Sequence, residues 1–174
     1  MWKQVLSIGL LGVAAVLVSF KVANNKKEID ATAISQPLDL NRYLGKWYEI
    51  ARYDHKFQHG MVGCTALYSM KANGRIKVTN QGYRNGVFHE SIGYAKTTKK
   101  NGVLRVSFFR PFYSDYRILM LAPDYSYALV GSNKAKYMWI LSRTRTLPQD
   151  VLNTILQQAT DRGYDTSKLL WVQD

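Results

Sequence analysis

The sequence predicts an all-β protein: an eight-stranded antiparallel up-and-down β-barrel with one C-terminal α-helix packed on its side, preceded by an N-terminal apolar helix. Three observations lead to this prediction. Eight short segments of alternating hydrophobicity follow Pro37 at roughly ten-residue spacing, with turn residues between them. One later segment repeats its apolar residues at helical spacing. A continuous apolar run lies close to the N-terminus.

The eight predicted strands are joined mostly by tight turns. Asn85-Gly86 is typical of a two-residue β-hairpin, because both residues readily adopt positive φ. A series of hairpins leaves two open edges, and closure into a barrel removes them. The alternative is a two-sheet sandwich. It would need a long Greek-key connection, and the sequence shows none. The predicted strands span residues 46–53, 64–70, 75–83, 87–96, 103–109, 113–122, 125–131 and 136–143.

Residues 148–162 change from the strand period to the helical one. The apolar residues Val151, Leu152, Ile155, Leu156 and Ala159 recur on one face of a helix. Pro148 suits the first helical turn and Gly163 suits the position after the last one. We therefore expect one amphipathic helix against a flank of the barrel, followed by a ninth strand or an extended tail at 169–172.

The N-terminal segment is apolar or small at every position from 5 to 20, between Lys3 and Lys21. A membrane span needs ~20 residues, and flanking lysines can reach the head groups. We expect a signal anchor at 1–23 that exports the domain, a polar linker at 24–37 and a barrel domain at 38–174. A cleaved signal peptide is the alternative. No cysteine precedes Cys64, so a lipoprotein signal is not expected, although an outer-membrane location stays possible.

Charge and composition limit the classes of partner. The chain of 174 residues carries a net charge of +12, and from Leu38 onward 20 Lys and Arg against 10 Asp and Glu give +10. These charges are scattered, so nucleic acid is not an expected partner. Scattered basic residues are typical of strand faces exposed to water, or of a surface that is attracted to anionic lipid head groups. His55, His59 and His89 lack a supporting acidic or cysteine cluster, so neither a metal nor a cofactor is expected.

Three motifs in order carry a resemblance to a known family. They are Gly45-Lys46-Trp47 on the first strand, residues 122–127 before the seventh strand, and residues 140–144 at the end of the eighth. Across residues 38–174 the chain resembles the lipocalin family, especially its bacterial outer-membrane, apolipoprotein D and plant temperature-induced members. This resemblance implies binding of a fatty acid or lysophospholipid for lipid storage, transport or membrane maintenance.

The resemblance also implies roles for the motif residues. Trp47 would close the narrow end of the barrel with Arg143 lying across its ring, and neither would bind ligand. Gly45, Asp124 and Tyr125 belong to the same structural set. Two features depart from the bacterial members: an apolar segment stands in place of a lipoprotein cysteine, and Arg110 stands where those members tend to have a small residue.

Ligand contacts are expected from inward positions nearer the open end. Small residues on the fourth strand, among them Ser91, Gly93 and Ala95, would leave room for an acyl chain, although a solid core is the alternative. Arg52, Lys56 and Arg110 are candidates for a charged head group. The candidate ligand contacts are Phe57, Met61, Ile76, Val78, Leu104, Val106, Phe108, Ile118, Met120 and Trp139.

Two other functions compete with lipid binding. One is an interaction module displayed on a membrane without lipid cargo. The other is a thiol-dependent isomerase that uses Cys64, although no catalytic partner residues are evident near that cysteine in the sequence. We expect a binding protein rather than an enzyme, and the sequence leaves its oligomeric state open.

Overall fold

In the computed structural model, which describes residues 28–172, the chain forms nine strands and two α-helices. Among these residues, no helix is long and apolar enough to cross a membrane. The helices are α1 Leu40–Tyr43 and α2 Gln149–Asp161. The strands are β1 Gly45–Tyr53, β2 Val62–Met70, β3 Ile76–Arg84, β4 Val87–Thr97, β5 Val103–Phe109, β6 Phe112–Leu121, β7 Tyr127–Gly131, β8 Met138–Ser142 and β9 Leu169–Trp171.

Strands β1 to β8 form one closed antiparallel barrel. Each strand pairs with the next one in the chain, and β1 pairs with both β2 and β8. Trp47 lies opposite Ala66 of β2, and Tyr48 lies opposite Ser142 of β8. The short strand β9 pairs with the last residues of β1. The closed barrel and its C-terminal helix confirm the predicted fold class; the predicted N-terminal helix lies outside the described residues.

The observed strands begin and end within a few residues of the predicted limits. The largest difference is at β8, which covers Met138–Ser142 instead of residues 136–143. Tyr125 is excluded from β7 because it lies in the preceding turn with a φ of 65°. The helix predicted at 148–162 is α2, and the tail after it forms β9.

Two hydrophobic clusters hold the domain together. The first fills the half of the barrel interior that contains Trp47, Tyr116 and Ile118, which we call the lower half. The second lies outside the barrel, where Ile155 and Ala159 of α2 pack on the outer faces of β1, β6, β7 and β8. Both helix residues are fully buried. The amphipathic face of α2 therefore covers one flank of the barrel, as its helical spacing predicts.

The two ends of the barrel differ in their connections. The closed end carries α1 and the β2–β3, β4–β5 and β6–β7 turns, whereas the open end carries the β1–β2, β3–β4, β5–β6 and β7–β8 connections. Helix α2 runs from the closed end towards the open end. Just beyond it, the Tyr164 hydroxyl donates a hydrogen bond to the carbonyl of Ser132, which follows β7, over 3.1 Å.

At the closed end, Arg143 binds both the Trp47 ring and the entering chain. Its guanidinium carbon lies 3.7 Å from the centroid of the Trp47 ring. Its N–H groups donate to the carbonyls of Arg42, Leu44 and Lys46 over 2.7, 2.9 and 2.7 Å. The Trp47 indole N–H donates in turn to the carbonyl of Tyr43 over 2.8 Å. One charged side chain thus satisfies carbonyls at the end of α1 and the start of β1, before β1 begins to pair with β8 at Tyr48.

Gly45 permits this arrangement. Its φ is +94°, a conformation that side chains rarely tolerate. A Cβ atom at this position would also lie 3.4 Å from Arg143 Nη1. Asp124 supports the same end by accepting hydrogen bonds from the backbone and hydroxyl of Ser126. The Tyr125 hydroxyl accepts a hydrogen bond from the backbone N–H of Asp39 over 2.9 Å.

Residues 28–37, which belong to the predicted linker at 24–37, lie against the barrel. The backbone N–H of Ile34 donates to the carbonyl of Ile118 over 2.9 Å, and the Asn101 amide donates to the carbonyls of Ile34 and Gln36. Ile34 is buried and belongs to the interior cluster. The segment is held because its backbone finds partners on the barrel, which its polar composition did not indicate.

We predict that Arg143→Ala lowers the free energy of unfolding by roughly 3 kcal/mol, because several carbonyls lose a charged donor and Trp47 loses its cation contact. Denaturant titration followed by circular dichroism measures the loss. Arg75→Ala, which removes an exposed arginine at the same end, is the matched control and should cost less than about 0.5 kcal/mol. Equal losses in the two variants would contradict the role given to Arg143.

Candidate ligand-binding site

The upper half of the barrel interior begins with an irregularity in β1. The register between β1 and β8 shifts between Glu49 and Ala51. Because one extra residue reverses the facing of the strand, Glu49 and Arg52 both turn inward, while Ala51 and Tyr53 pack in the outer cluster. Glu49 is 5% exposed and Arg52 is completely buried. An acid and a base therefore lie inside the barrel.

Arg52 holds the β1–β2 connection over this interior. Its Nη2 donates to the carbonyls of Gln58 and Met61 over 2.7 and 3.1 Å. Its Nη1 lies 3.4 Å from Glu49 Oε2 and 3.6 Å from Cys64 Sγ. A buried guanidinium is costly unless its donors are paired, so these contacts fix the connection in place. We call residues 54–61 the mouth loop.

Gln58 completes the buried network from the mouth loop. Its side-chain N–H group donates to both oxygens of Glu49 over 2.8 and 3.0 Å. Its amide oxygen accepts from the indole N–H of Trp139 over 3.4 Å. Burial raises the pKa of the Glu49 carboxyl, and hydrogen bonds from Gln58 together with the Arg52 charge oppose that effect. Gln58, a loop residue that belongs to no hydrophobic repeat in the sequence, thus links β1 to β8.

His55 lies in an aromatic enclosure beside this network. Its ring centroid is 5.5 Å from Tyr137, 5.8 Å from Trp139 and 6.1 Å from Phe57. Both ring nitrogens are buried and have no hydrogen-bond partner among residues 28–172. Burial lowers the pKa of the His55 imidazole and the Arg52 charge acts in the same direction, which together outweigh the opposite effects of the nearby Gln58 side chain and the Asp54 charge. The neutral ring is therefore the form that fits.

Two inward glycines make room for neighbouring side chains. A Cβ atom on Gly93 would lie 2.8 Å from the Phe108 ring, and one on Gly82 would lie 2.9 Å from the terminal carbon of Met61. Phe108 and Met61 therefore rest directly on the backbone of β4 and β3. Only a glycine lies beneath each of these two side chains, and neither side chain makes a hydrogen bond. Each can therefore move away from the strand without breaking a hydrogen bond.

The inner surface near the mouth is reached by solvent. The β3–β4 register places Ser91 opposite Asn80 and His89 opposite Gly82, on the face that carries the buried Val78. Ser91 and His89 are nevertheless exposed. A cavity of about 260 Å³ also opens at this end, beside the β7–β8 connection. It is lined by Tyr113, Ser114, Asp115, Ser132, Asn133, Lys136 and Tyr137.

Below this region, three tyrosines form a hydrogen-bonded floor. The Tyr116 hydroxyl lies 2.6 Å from that of Tyr43 and 3.0 Å from that of Tyr68. Burial raises the pKa of all three, so they stay neutral. The floor separates the mouth from the Trp47 and Arg143 contact at the closed end. Space for a ligand is therefore restricted to the upper half of the barrel.

The expected apolar contacts fall into two groups. Val106 and Trp139 are partly buried against the interior cluster, and Phe108 is 37% exposed above them. The other inward residues lie deep in the packed lower half, each no more than 2% exposed: Ile76, Val78, Leu104 and Ile118. The upper group is therefore the one within reach of a ligand.

The expectation for Met120 was wrong. A register shift between Ile118 and Met120 in the β6–β7 pairing changes the facing of the strand. Met120 consequently packs against the outer cluster under α2, whereas Ile118 remains inside. Strict alternation along β6 placed both side chains inside, because a single-residue irregularity is not visible in the sequence.

The three expected head-group cations are not equivalent. Lys56 and Arg110 are exposed at the mouth, where they lie over the rings of Phe57 and Tyr94. Arg52 differs from the expectation, because it is fully buried and its terminal N–H groups already bind the mouth loop and Glu49. Phe57 is 54% exposed on the rim, while Met61 is buried beneath it.

The thiol has surroundings that oppose catalysis. Cys64 is 2% exposed, and burial raises its pKa to about 11. At neutral pH the sulfur is therefore protonated and a poor nucleophile. Residues 28–172 also contain no group of three or more His, Cys, Asp and Glu side chains arranged to hold a metal ion.

The fold and the site define a small β-barrel with a closed floor and a covered mouth, the architecture of a barrel that carries one small ligand. Residues 38–174 match the Lipocalin-like domain. The chain belongs to the lipocalin family, whose members bind small hydrophobic ligands. This confirms the resemblance carried by the three sequence motifs.

Individual relatives agree with this assignment. The chain is 45% identical over 139 residues to the outer membrane lipoprotein Blc of Escherichia coli K12, covering 78% of each chain. It is 35% identical over 155 residues to temperature-induced lipocalin-1 of Arabidopsis thaliana, covering 83% of this chain and 82% of that one. Insecticyanin from Manduca sexta shares the fold with a TM-score of 0.69 at 20% identity, over 84% and 86% of the two chains.

We predict that acidification loosens the mouth loop through His55. Because the folded protein lowers the pKa of His55, the stabilisation is present above the ordinary pKa of ~6.5 and is lost as pH falls below it. Amide hydrogen exchange in residues 54–61, corrected for intrinsic rates, should be faster at about pH 5 than at about pH 7.5.

His55→Phe is the matched control, because it keeps an aromatic ring in the enclosure and removes the titration. In this variant the difference between the two pH values should largely disappear. A difference of the same size in His55→Phe and in the unsubstituted protein would assign the pH effect to another group and contradict the prediction.

Proposed function

We propose that the protein binds a fatty acid or a lysophospholipid in the upper half of the barrel and serves lipid storage, transport or membrane maintenance. The observation that carries this proposal is the exposure of Ser91 and His89 on the inner face of β4. β4 pairs with β5 only from Tyr94 to Thr97, so the inner face of its mouth half, with these two residues, is open to solvent. A ligand can therefore reach the inner wall.

The inner wall suits an acyl chain. Val106, Phe108, Trp139 and Met61 supply apolar surface around the open side of β4. Each methylene group removed from water contributes about 0.8 kcal/mol. The cavity of about 260 Å³ beside the β7–β8 connection shares no lining residue with this wall. A long acyl chain would gain room in the barrel when Phe108 or Met61 moves off the glycine on which it rests.

The polar end of the ligand belongs at the mouth. Lys56 and Arg110 are exposed there and can pair with a carboxylate or a phosphate. Lys136 lines the mouth cavity and adds a third cation. Arg52 contributes indirectly, because it positions the mouth loop that carries Lys56. The chain would therefore bind tail first, with the head group near solvent.

We further propose that the domain is exported and stays attached to a membrane of the cell envelope through the apolar segment at 1–23. The bacterial relative is named an outer membrane lipoprotein, which supports association with the envelope. This chain has no cysteine before Cys64, so attachment through the apolar segment replaces a lipid-modified cysteine in the proposal. We propose no catalytic activity, since the Cys64 thiol is buried and protonated.

Filling the mouth tests the binding proposal. We predict that Ser91→Phe weakens binding of an environment-sensitive fatty-acid probe to the delipidated protein by at least about tenfold, because the added ring occupies the open inner face of β4. Ile92→Phe adds the same ring to the next residue, which alternates to the outer face and is 44% exposed. It should leave probe binding unchanged.

Circular dichroism of both variants checks that the barrel stays folded. Equal binding by Ser91→Phe and Ile92→Phe would place the probe outside the barrel and contradict the proposed site. Absence of saturable binding by the folded, unsubstituted protein at micromolar probe would reject lipid cargo altogether and favour a displayed interaction module.

A further inference from the structure

An apolar rim surrounds the mouth of the barrel. Five described large hydrophobic residues are at least half exposed, and all five lie at this end. Phe112 and Phe109 are the most exposed, at 77% and 66%. They flank the β5–β6 connection, and the others come from the mouth loop and the β3–β4 hairpin. We call Phe57, Val87, Phe88, Phe109 and Phe112 the mouth rim.

Contacts connect the parts of the chain that carry the rim. The Phe57 and Phe109 rings lie 6.0 Å apart and join the mouth loop to the β5–β6 connection. Phe88 packs against Tyr83 at 5.6 Å across the β3–β4 hairpin. Arg84 donates to the carbonyl of Phe57 over 3.3 Å and links that hairpin to the mouth loop. Continuous exposed apolar surface on a monomer marks an interaction site.

The same end also carries positive charge; because the closed end is basic too, the apolar rim rather than the charge distinguishes the mouth. Each of its four connections carries at least one cation, and these are Lys56, Arg84, Arg110, Lys134 and Lys136. The acids nearby are engaged: Asp54 contacts His59, Asp115 pairs with Arg105 and Arg117, and Glu90 accepts from Gln81. Aromatic and basic side chains together match the interface of a bilayer that contains anionic lipids.

The start of the described chain lies on the flank of the barrel, beside the last residues of α2. The backbone N–H of Asp30 donates to the carbonyl of Arg162, just beyond the end of α2 that faces the mouth. Four residues, 24–27, separate Glu28 from the apolar segment. Four residues span at most roughly 14 Å. With the proposed anchor in a bilayer, so short a connection keeps this flank of the barrel close to that surface, within reach of the mouth rim.

We propose that the mouth rim docks on a bilayer containing anionic lipids, with its aromatic rings in the interfacial region and its cations beside lipid phosphates. The lipid cargo of the proposed function would then pass between bilayer and barrel without crossing bulk water. A second copy of the chain fits the same surface less well. Mouth-to-mouth pairing about a two-fold axis would bring two sets of cations together.

Labelling opposite ends of the full chain tests the docking. Asn133→Cys places a thiol at the mouth, and Ala72→Cys places one at the β2–β3 turn of the closed end. Cys64 is buried with a raised pKa, so a solvent-sensitive fluorophore reacts with the introduced cysteine. The labelled chains are reconstituted with vesicles of phosphatidylcholine containing phosphatidylglycerol and a bilayer-resident quencher.

We expect the quencher to reduce the emission of the mouth label and to leave the closed-end label unaffected. Replacing phosphatidylglycerol by phosphatidylcholine should lower the ratio of docked to undocked protein by about tenfold or more, because several cations lose their partners. Equal quenching of the two labels, or stronger quenching at the closed end, would overturn the proposal.

A matched pair of variants assigns the contact to the rim. Val87→Ser/Phe109→Ser/Phe112→Ser should abolish quenching of the mouth label. Leu67→Ser/Met70→Ser/Ile92→Ser removes three residues that are 41%, 43% and 44% exposed elsewhere on the barrel and should preserve it. Circular dichroism confirms folding in both. Similar losses in the two triple variants would overturn the assignment of the contact to the rim.

Two further outcomes are distinguishable. A mouth label that is shielded in detergent without vesicles, in proportion to protein concentration, would show pairing of copies and overturn membrane docking. Fatty-acid probe binding by the unsubstituted chain reports the cargo site separately. Probe binding without quenching of the mouth label would reject the docking alone, whereas quenching without probe binding would reject the proposed cargo and retain the docking.

Discussion

The need to satisfy one buried guanidinium governs the open end of this barrel. Arg52 is completely buried, and removing such a charge from water is costly unless its donors find partners. Two of those partners are carbonyls of the mouth loop, and a third is Glu49. Gln58 then binds Glu49, and Trp139 binds Gln58. The conformation of the cover over the ligand region follows from this chain of contacts.

The two halves of the barrel interior are packed differently. In the lower half, Trp47 and three hydrogen-bonded tyrosines fill the interior, and Arg143 closes it from below. In the upper half, Gly82 and Gly93 allow Met61 and Phe108 to lie on bare backbone. Moving those side chains breaks no strand pairing. In the upper half the side chains of Met61 and Phe108 can therefore move, while Arg52 holds the backbone of the mouth loop in place.

Much of the fold could be predicted because each element has a local cause. Asn-Gly turns and two-residue alternation indicate the hairpins, and the spacing of Ile155 and Ala159 indicates α2. Register shifts in β1 and β6 have no such signal. They turn Arg52 inward beside Glu49 and move Met120 outside, so the roles of Arg52 and Met120 could not be read from alternation. Gln58 was missed because a loop residue has no period.

The central claim is that the upper half of the barrel holds one acyl chain. Native mass spectrometry of the full chain, purified from membranes in mild detergent, tests it most directly. We expect one lipid adduct per chain, of fatty-acid or lysophospholipid mass, that survives gentle activation in the gas phase. Protein without adducts, or a ladder of adducts that matches the bulk lipid composition and is lost at once, would contradict it.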